Sequence, residues 1–232
     1  MTDYLFPPAP TKSLAVQGSD QRYPVNRIFC VGRNYAEHAA EMGYEVDREK
    51  AFYFLKGPHA LVLSGAETPY PPGTQNYHFE VELVLALKAP LFRASLEEAR
   101  AAIGWYGVGL DMTRRDLQVS EREKKRPWDL GKDVEDSCVM GALTPAEALD
   151  DFDARRIWLT QNGALKQEGR LGDLVWKCDE ILAHLSGFYH LAPGDLVMTG
   201  TPAGVGPVAA GDQLEGMVEG LDPVRLAILA PE

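Results

Sequence analysis

The chain has 232 residues, of which 45% are hydrophobic, and its formal net charge is −11 at pH 7. This length and composition predict one sizeable core, and we expect residues 1–25 to form an extended N-terminal leader before a single domain at residues 26–232. The acidic balance excludes the basic surface of a nucleic-acid-binding protein, and neither a secretory signal nor a membrane-length apolar segment is recognisable, so we expect a cytoplasmic protein.

The hydrophobic patterns predict many short strands and few helices. In the first half of the chain they predict a strand at 27–32, a helix at 34–43 capped by Asn34 and ended by Gly43, and strands at 51–55 and 77–87. Next come a helix from a capping box at 95–98 to about 103, a strand at 105–112 and a solvated helix at 121–125. In the second half they predict a hairpin of 156–161 and 164–167 around Asn162-Gly163, a helix at 179–188, and strands at 196–199, 213–218 and 224–229. The strand–helix alternation of a doubly wound sheet is missing from this pattern, so the sequence predicts an α+β fold. Cys30, Cys138 and Cys178 lie far apart and predict buried thiols, neither disulfides nor a thiolate metal site.

Two carboxylates stand at the start of the apolar strand at 77–87. Side chains of a strand alternate between its faces, so His78, Glu80 and Glu82 share one face. A solvated edge strand and a site for a hard divalent cation explain this pair equally well. Asp111 ends another apolar, glycine-containing strand, and this third acid favours the metal site, provided that the three side chains converge.

Other residues are candidates for the chemistry. His38 and Glu41 are spaced i, i+3 on one helical face, which suits a general base and its orienting carboxylate, although spacing alone favours a surface pair. Lys132 follows Gly131 near apolar residues, where a fixed ammonium could stabilise an oxyanion. The glycine-rich segment 198–206 would let its backbone and Thr201 approach a ligand, and it lacks the GK[ST] of a nucleotide-binding loop.

Together these segments resemble the fumarylacetoacetate hydrolase family, in particular its short acylpyruvate hydrolase branch, from about residue 26 to the C-terminus. The resemblance is carried by Gly32-Arg33-Asn34-Tyr35-x-x-His38-x-x-Glu41, Phe54-Leu55-Lys56, Glu80-Val81-Glu82-Leu83, Leu110-Asp111-Met112-Thr113-x-Arg115-Asp116-x-Gln118, Gly131-Lys132 and Thr199-Gly200-Thr201-Pro202-x-Gly204-Val205-Gly206. It implies a mixed β-roll of layered sheets with few peripheral helices, assembled as a homodimer.

The resemblance also implies roles for residues of this chain. Glu80, Glu82 and Asp111 would bind Mg²⁺ or Mn²⁺. The water-activating dyad would be His38 and Glu41, on a helix that can act as a lid. Lys132 and Gln118 would face the reacting oxygens, and the substrate would be surrounded by Arg115, Gly200 and Thr201.

The implied reaction is hydrolysis of a carbon–carbon bond in an acylpyruvate, a 2,4-dioxo acid. Fumarylpyruvate, from gentisate breakdown, is the expected substrate, and its second carboxylate needs a cation, for which Arg33, Lys56 and Arg126 are candidates. Two alternatives use the same metal site: decarboxylation of oxaloacetate and isomerisation of a 2-oxo-enoic diacid. A third alternative is a non-catalytic, metal-stabilised binding module.

Overall fold

The computed structural model describes residues 3–41, 43 and 48–232. Its strands are β1 Ser13–Ala15, β2 Arg22–Pro24, β3 Arg27–Gly32, β4 Phe52–Lys56, β5 Leu61–Leu63, β6 Ala66–Pro69, β7 Tyr77–Phe79, β8 Val81–Leu87, β9 Ile103–Asp111, β10 Thr113–Arg114, β11 Cys138–Met140, β12 Thr144–Pro145, β13 Arg156–Gln161, β14 Ala164–Arg170, β15 Asp195–Met198, β16 Gly206–Pro207, β17 Gln213–Val218 and β18 Val224–Leu229. Its α-helices are α1 Ala36–Glu41, α2 Leu96–Ala102, α3 Arg115–Glu123, α4 Asp129–Lys132 and α5 Cys178–Ser186, and 3-10 turns occur at Pro58–Ala60, Ala146–Ala148, Phe152–Ala154 and Leu171–Asp173.

The strands form two large sheets and two small ones. The larger sheet runs β4-β3-β15-β8-β9-β11-β5, with β12 added beside β9, and it mixes parallel and antiparallel neighbours. The second runs β14-β13-β17-β18-β6, while β10-β7-β16 and β1-β2 are small separate sheets. This confirms the predicted α+β fold of layered, mixed sheets with few helices.

The central strand β8 explains how the layers are held together. It is buried along its whole length, so both of its faces pack against apolar side chains. One face contributes Val81, Leu83, Leu85 and Leu87 to the cluster between the two large sheets. The other face contributes Val84 and Ala86 to a second cluster that also contains residues of β1 and β2. Because side chains alternate along a strand, Glu82 lies on this second face, at its polar end.

Several predicted elements differ from the observed ones. The predicted strand at 77–87 is interrupted at Glu80, where the chain passes from the small sheet of β7 into the large sheet of β8. The predicted solvated helix at 121–125 is wrong in its extent, because α3 begins at Arg115 and buries Arg115 and Gln118. Arg115 precedes the segment for which charge density suggested exposure, and it is buried where it pairs with the buried Glu80.

The predicted cap of the first helix is also corrected. Helix α1 begins at Ala36, and the buried Asn34 side chain donates to the carbonyl oxygens of Trp176 and Thr199 and accepts a hydrogen bond from the Trp176 N–H. Asn34 therefore ties three segments together and does not cap the helix. Gly43 follows the helix with a φ of 78°, as expected of a residue that ends one; Met42 lies outside the described residues.

The hairpin and the first part of the chain complete the fold. Strands β13 and β14 pair antiparallel around Asn162-Gly163, as predicted. Within the predicted leader, β1 and β2 form an antiparallel ribbon whose Leu14 and Tyr23 are buried in the second cluster. The division of the chain into a leader and one domain stays a prediction. Among the described helices, none has the length and apolar character needed to cross a membrane.

Candidate active site

Three acidic side chains converge at one edge of the large sheet. Glu80 lies between β7 and β8, Glu82 lies on β8, and Asp111 ends the neighbouring strand β9. The Asp111 N–H donates to the Glu80 carbonyl oxygen over 2.8 Å, so the two residues face each other across the sheet. Carboxylate oxygens of all three lie within 4.8 Å of one another, and the residues are at most 5% exposed. The predicted convergence is confirmed, and the interpretation as a solvated edge strand is wrong.

The three carboxylates have different electrostatic surroundings. Burial acts to raise the pKa of Glu80, but Lys132 and Arg115 outweigh it and hold this pKa well below its usual range. Burial raises the pKa of Glu82 well above its usual range, and the charges of Asp111 and Glu80 add to the rise. Glu82 accepts a 2.7 Å hydrogen bond from a neutral donor, the Gly200 N–H. The cluster therefore still favours additional positive charge beside Glu82.

Lys132 enters the cluster from helix α4. Its Nζ lies 2.7 Å from Glu80 Oε2 and 2.6 Å from Asp111 Oδ2, and 4.8 Å from the centre of the Phe54 ring. Burial acts to lower the pKa of Lys132, but Asp111 and Glu80 outweigh it and raise this pKa, so the ammonium stays charged. The preceding Gly131 makes this approach possible, because a Cβ there would lie 2.8 Å from the backbone nitrogen of Gln118.

The donor set fits a hard divalent cation. All three acids offer oxygen ligands, which Mg²⁺ and Mn²⁺ prefer, and their mutual repulsion in a buried site needs neutralisation. Burial, together with the charges of Asp111 and Glu80, raises the pKa of Glu82, and a bound cation would offset both effects. Glu80, Glu82 and Asp111 are thus the residues that would hold the ion.

His38 and Glu41 pair on helix α1. His38 Nδ1 lies 3.2 Å from Glu41 Oε2, and the side chains are 10% and 37% exposed, so a buried imidazole is paired with a carboxylate that reaches the surface. The Gly204 N–H lies 3.1 Å from the same Glu41 oxygen, which fixes the carboxylate against the glycine-rich segment. With Nδ1 directed at Glu41, the second ring nitrogen of His38 is the one left for the cavity. The pair has the geometry that a general base and its orienting carboxylate require.

The glycine-rich segment follows β15 and passes over the acids. Gly200 has a φ of 102°, and a Cβ there would lie 2.8 Å from the Cβ of Asn34, so both conformation and space require glycine. This geometry aims the Gly200 N–H at Glu82, so Gly200 orients a carboxylate. Thr201 is 3% exposed and lines the cavity above the acids.

A small cavity of about 40 Å³ joins most of the predicted site residues. Its lining includes His38, Glu80, Glu82, Arg115, Gln118, Lys132 and Thr201. The other predicted site residues each contact a member of this set: Glu41 contacts His38, Asp111 contacts Lys132, and Gly200 contacts Glu82. Arg115 bonds to Glu80 and, over 2.5 Å, to Gln118 Oε1. The predicted site residues thus form one connected constellation, whereas their individual roles stay predictions.

A second cavity of about 390 Å³ adjoins the first, and the residues between them include Arg122 and Trp128, to which the sequence analysis gave no role. Both cavities are lined by Arg33, Phe54, Arg122, Trp128 and Lys132. The larger one also contains Lys125 and Arg126, so it is cationic in a chain of net charge −11. Arg122 was missed because it lies in the charged segment that was expected to be solvated.

A larger cavity of about 630 Å³ lies elsewhere and is a poorer candidate. Its lining includes Arg100, Asp179, Lys177 and Asp153. These charges pair with each other, Arg100 with Asp179 over 2.5 Å and Lys177 with Asp153 over 3.7 Å. Cys178 also lines it, but burial raises the pKa of this thiol to about 12, so it is not a nucleophile near neutral pH.

Comparison with known proteins agrees with this geometry. The sequence profile of the fumarylacetoacetate (FAA) hydrolase C-terminal family matches residues 27–228. The chain is 50% identical over 189 residues to fumarylpyruvate hydrolase of Ralstonia sp., covering 81% of this chain and 98% of that protein. It is 38% identical over 205 residues to the oxaloacetate tautomerase YcgM of Escherichia coli (strain K12), covering 88% of this chain and 93% of that one. The crystal structure of fumarylpyruvate hydrolase from Pseudomonas aeruginosa in complex with Mn²⁺ and pyruvate superposes with a TM-score of 0.94 at 43% identity, covering 98% of this chain and all of that one.

Proposed function

Since the chain belongs to the fumarylacetoacetate hydrolase family, we propose that it is a metal-dependent hydrolase that cleaves a carbon–carbon bond of an acylpyruvate. One observation carries the proposal: three buried carboxylates within 4.8 Å of one another border the same cavity region as His38 and Lys132. A metal-stabilised binding module would have no use for a buried imidazole oriented by a carboxylate at that point.

At the pyruvyl end of the substrate, we assign different roles to the acids, to Lys132 and to the other residues of the cavity wall. Mg²⁺ or Mn²⁺ held by Glu80, Glu82 and Asp111 would supply positive charge to the oxygen on which enolate charge develops. The Lys132 ammonium is held at the same acids and adds a second positive charge there. Arg115 and Gln118 form the neighbouring wall, while Thr201 offers a hydroxyl group to the substrate's oxygens.

His38 is the base of the proposed reaction. Its free ring nitrogen takes a proton from water, and Glu41 on Nδ1 orients the ring and stabilises the imidazolium that forms. The resulting hydroxide attacks the 4-oxo carbon, the C3–C4 bond breaks, and its electron pair passes into the enolate of pyruvate. The imidazolium gives this proton to C3 of the enolate, so that one acylpyruvate and one water yield one carboxylic acid and one pyruvate.

The adjoining cationic cavity favours a substrate with a second carboxylate, such as fumarylpyruvate. The small cavity is lined by Glu80, Glu82 and Lys132, so we place the pyruvyl end of the substrate there. A distal acyl group would then extend past Trp128 into the larger cavity, where Arg33 and Arg122 line both spaces. Lys56 cannot serve there, because its side chain is fully buried behind Asp111.

Comparing acyl groups tests this proposal. Purified protein with Mg²⁺ or Mn²⁺ is supplied with fumarylpyruvate and with acetylpyruvate, and release of pyruvate is measured. We expect both to be cleaved, and fumarylpyruvate to have the higher kcat/KM. Arg122→Gln should reduce this preference, whereas Arg93→Gln, an exposed arginine beside Phe92, should not. Absence of pyruvate from both substrates would refute the hydrolase proposal.

The similarity to an oxaloacetate tautomerase supports a second candidate function on the same site. Tautomerisation moves a proton between carbon and oxygen and breaks no carbon–carbon bond. It would consume the enol of oxaloacetate, measured by its ultraviolet absorbance, without releasing pyruvate. Rapid loss of the enol together with no cleavage of either acylpyruvate would favour this function.

We also propose that the enzyme is a cytoplasmic homodimer that acts in gentisate breakdown. The edge strand β4 supports self-association, because it exposes Phe52 by 39% and Leu55 by 46% at the end of the large sheet. Sedimentation equilibrium of the protein tests the dimer directly, since a monomer of 25.5 kDa and a dimer are readily separated.

A further inference from the structure

Gln167 stands out in strand β14 as a fully buried polar side chain. The neighbouring residues Lys166 and Glu168 are exposed, whereas Gln167 is 0% exposed. The buried side chains of a strand at the edge of a sheet are normally apolar. Burying an amide is costly unless its hydrogen bonds are made. The hydrogen-bond partners of Gln167 therefore indicate the role of its side chain.

The amide of Gln167 joins two parts of the candidate active site. Its Oε1 accepts a 2.9 Å hydrogen bond from the Val81 N–H, which lies between Glu80 and Glu82. Its Nε2 donates to Thr201 Oγ1 over 2.7 Å and to the Pro202 carbonyl oxygen over 2.8 Å. Both amide hydrogens are thus directed at the glycine-rich segment, and the oxygen is bonded to the first residue of β8, the strand that carries Glu82.

These bonds determine the direction of the Thr201 hydroxyl. Because Thr201 Oγ1 accepts from the Gln167 amide, its own hydrogen is left to donate elsewhere, and Thr201 lines the small cavity. An acceptor in that cavity, such as a carboxylate or carbonyl oxygen of a 2-oxo acid, would receive this hydrogen bond. With the amide removed, the hydroxyl could turn toward other acceptors.

The packing around Gln167 holds the segment close enough for this arrangement. A Cβ on Gly204 would lie 2.1 Å from the Lys166 carbonyl oxygen, and one on Gly169 would lie 3.0 Å from Pro202. The glycine-rich segment therefore lies directly on the backbone of β14 on both sides of Gln167, and side chains at these glycines would lift it away.

We propose that Gln167 is a positioning residue that turns the Thr201 hydroxyl toward the cavity, where it binds an oxygen of a 2-oxo acid. This inference rests on the proposed function only for the identity of the ligand. Gln167 does not touch the substrate; it acts through Thr201.

A double-mutant cycle tests the proposal. Gln167→Met, Thr201→Val and the double variant are compared with the wild type for pyruvate binding to the Mn²⁺-loaded protein by calorimetry. We expect each single variant to weaken pyruvate binding by roughly three- to tenfold, as loss of one hydrogen bond does. The double variant should bind no more weakly than Thr201→Val alone, because Gln167 acts through that hydroxyl. Mn²⁺ affinity, measured without pyruvate, should be unchanged in Gln167→Met.

Gln161→Met is the matched control. Gln161 lies in the same hairpin and its Nε2 also donates two hydrogen bonds, to the Pro207 carbonyl oxygen and to Asp212 Oδ2, away from the cavity. It should bind pyruvate like the wild type. Wild-type affinity in Gln167→Met, additive losses in the double variant, or a loss of Mn²⁺ affinity would each overturn the proposal.

A second variant covers the case in which Gln167→Met does not fold. Gln167→Asn keeps a polar amide for the Val81 N–H, but its side chain is one methylene shorter and cannot at the same time reach Thr201. It should bind pyruvate as weakly as Thr201→Val, and wild-type affinity would overturn the proposal. Because pyruvate binding is the measurement, failure of the hydrolase proposal, seen as no turnover by the wild type, is distinguished from failure of this one.

Discussion

Lys56 Nζ lies 3.0 Å from Asp111 Oδ1, on the opposite side of that carboxylate from Lys132. The Lys56 side chain is fully buried and also donates to the Met112 carbonyl oxygen over 3.1 Å and to Ser137 Oγ over 2.7 Å. Lys56 thus neutralises Asp111 from behind and joins β4 to the end of β9, which makes it a support of the site.

Lys56→Met is therefore expected to destabilise the fold. It leaves Asp111 buried with one cation fewer and removes the donor from its acceptors, and breaking a buried pair in this way costs about 3–5 kcal/mol. Urea unfolding should show the loss, with Lys88→Met, at an exposed position, unchanged. If Lys56→Met were as stable as the wild type but lost its preference for fumarylpyruvate, Lys56 would be the distal cation after all.

Metal binding should raise the melting temperature through the three acids. A cation that offsets the repulsion around Glu82 binds the folded state alone and stabilises it by mass action. We expect a chelator to abolish turnover, and Mg²⁺ or Mn²⁺ to restore it and raise the melting temperature. Glu82→Ala should lose both responses, and Glu97→Ala, on exposed helix α2, should keep both. An unchanged melting curve at saturating metal would contradict the three-acid site.

The sequence predicted the part of the site that depends on local pattern. Period-two alternation placed Glu82 opposite the face of Val81 and Leu83, and the structure confirms it because β8 is continuous from residue 81. Spacing i, i+3 likewise brought His38 and Glu41 together on α1. In both cases the geometry of one element settles the contact.

Contacts between distant elements could not be predicted in this way. Lys56 and Asp111 are 55 residues apart, and nothing local distinguishes Lys56, which is buried, from a solvated lysine. Gln167 lies among exposed residues of a hairpin, and its burial depends on how the glycine-rich segment packs over that hairpin. The burial of a charged or amide side chain can be inferred only when its partners in the fold are known.

His38→Ala should separate water activation from metal binding. Without the base, hydrolysis should fall on the order of 10²–10⁴-fold. Mn²⁺ affinity should survive, because His38 is not among the proposed ligands. Any decarboxylation of oxaloacetate should fall less, since it needs no activated water. His190→Ala, an exposed histidine stacked on Phe92, is the control. Equal losses in both reactions would instead assign His38 to substrate positioning.

The three cysteines should be unreactive in the folded protein. Burial raises the pKa of Cys138 and of Cys178 to about 12, and that of Cys30 well above its usual range. At pH 8 a thiol of this kind is ionised roughly once in ten thousand molecules, and the thiolate is the reacting form. A thiol reagent should therefore label the native protein only slowly at pH 8, faster as the pH rises, and the unfolded protein at once. Rapid labelling of native protein at pH 8 would contradict the burial of all three.

Replacing Lys132 tests the mechanism most directly, because its ammonium neutralises the acids and, in the proposed reaction, also stabilises the enolate. Lys132→Met keeps the length of the side chain and its packing against Phe54 but deletes the ammonium held at Glu80 and Asp111. Since the acids lose a competing cation, Mn²⁺ should bind at least as tightly as in the wild type. Since enolate charge develops mainly in the transition state, kcat should fall roughly 10²–10³-fold while KM changes less. Lys124→Met, at an exposed position on the end of α3, should retain wild-type values of both. A Lys132→Met enzyme that loses Mn²⁺ binding would show that the lysine builds the metal site, and one with normal kcat would show that it takes no part in the reaction.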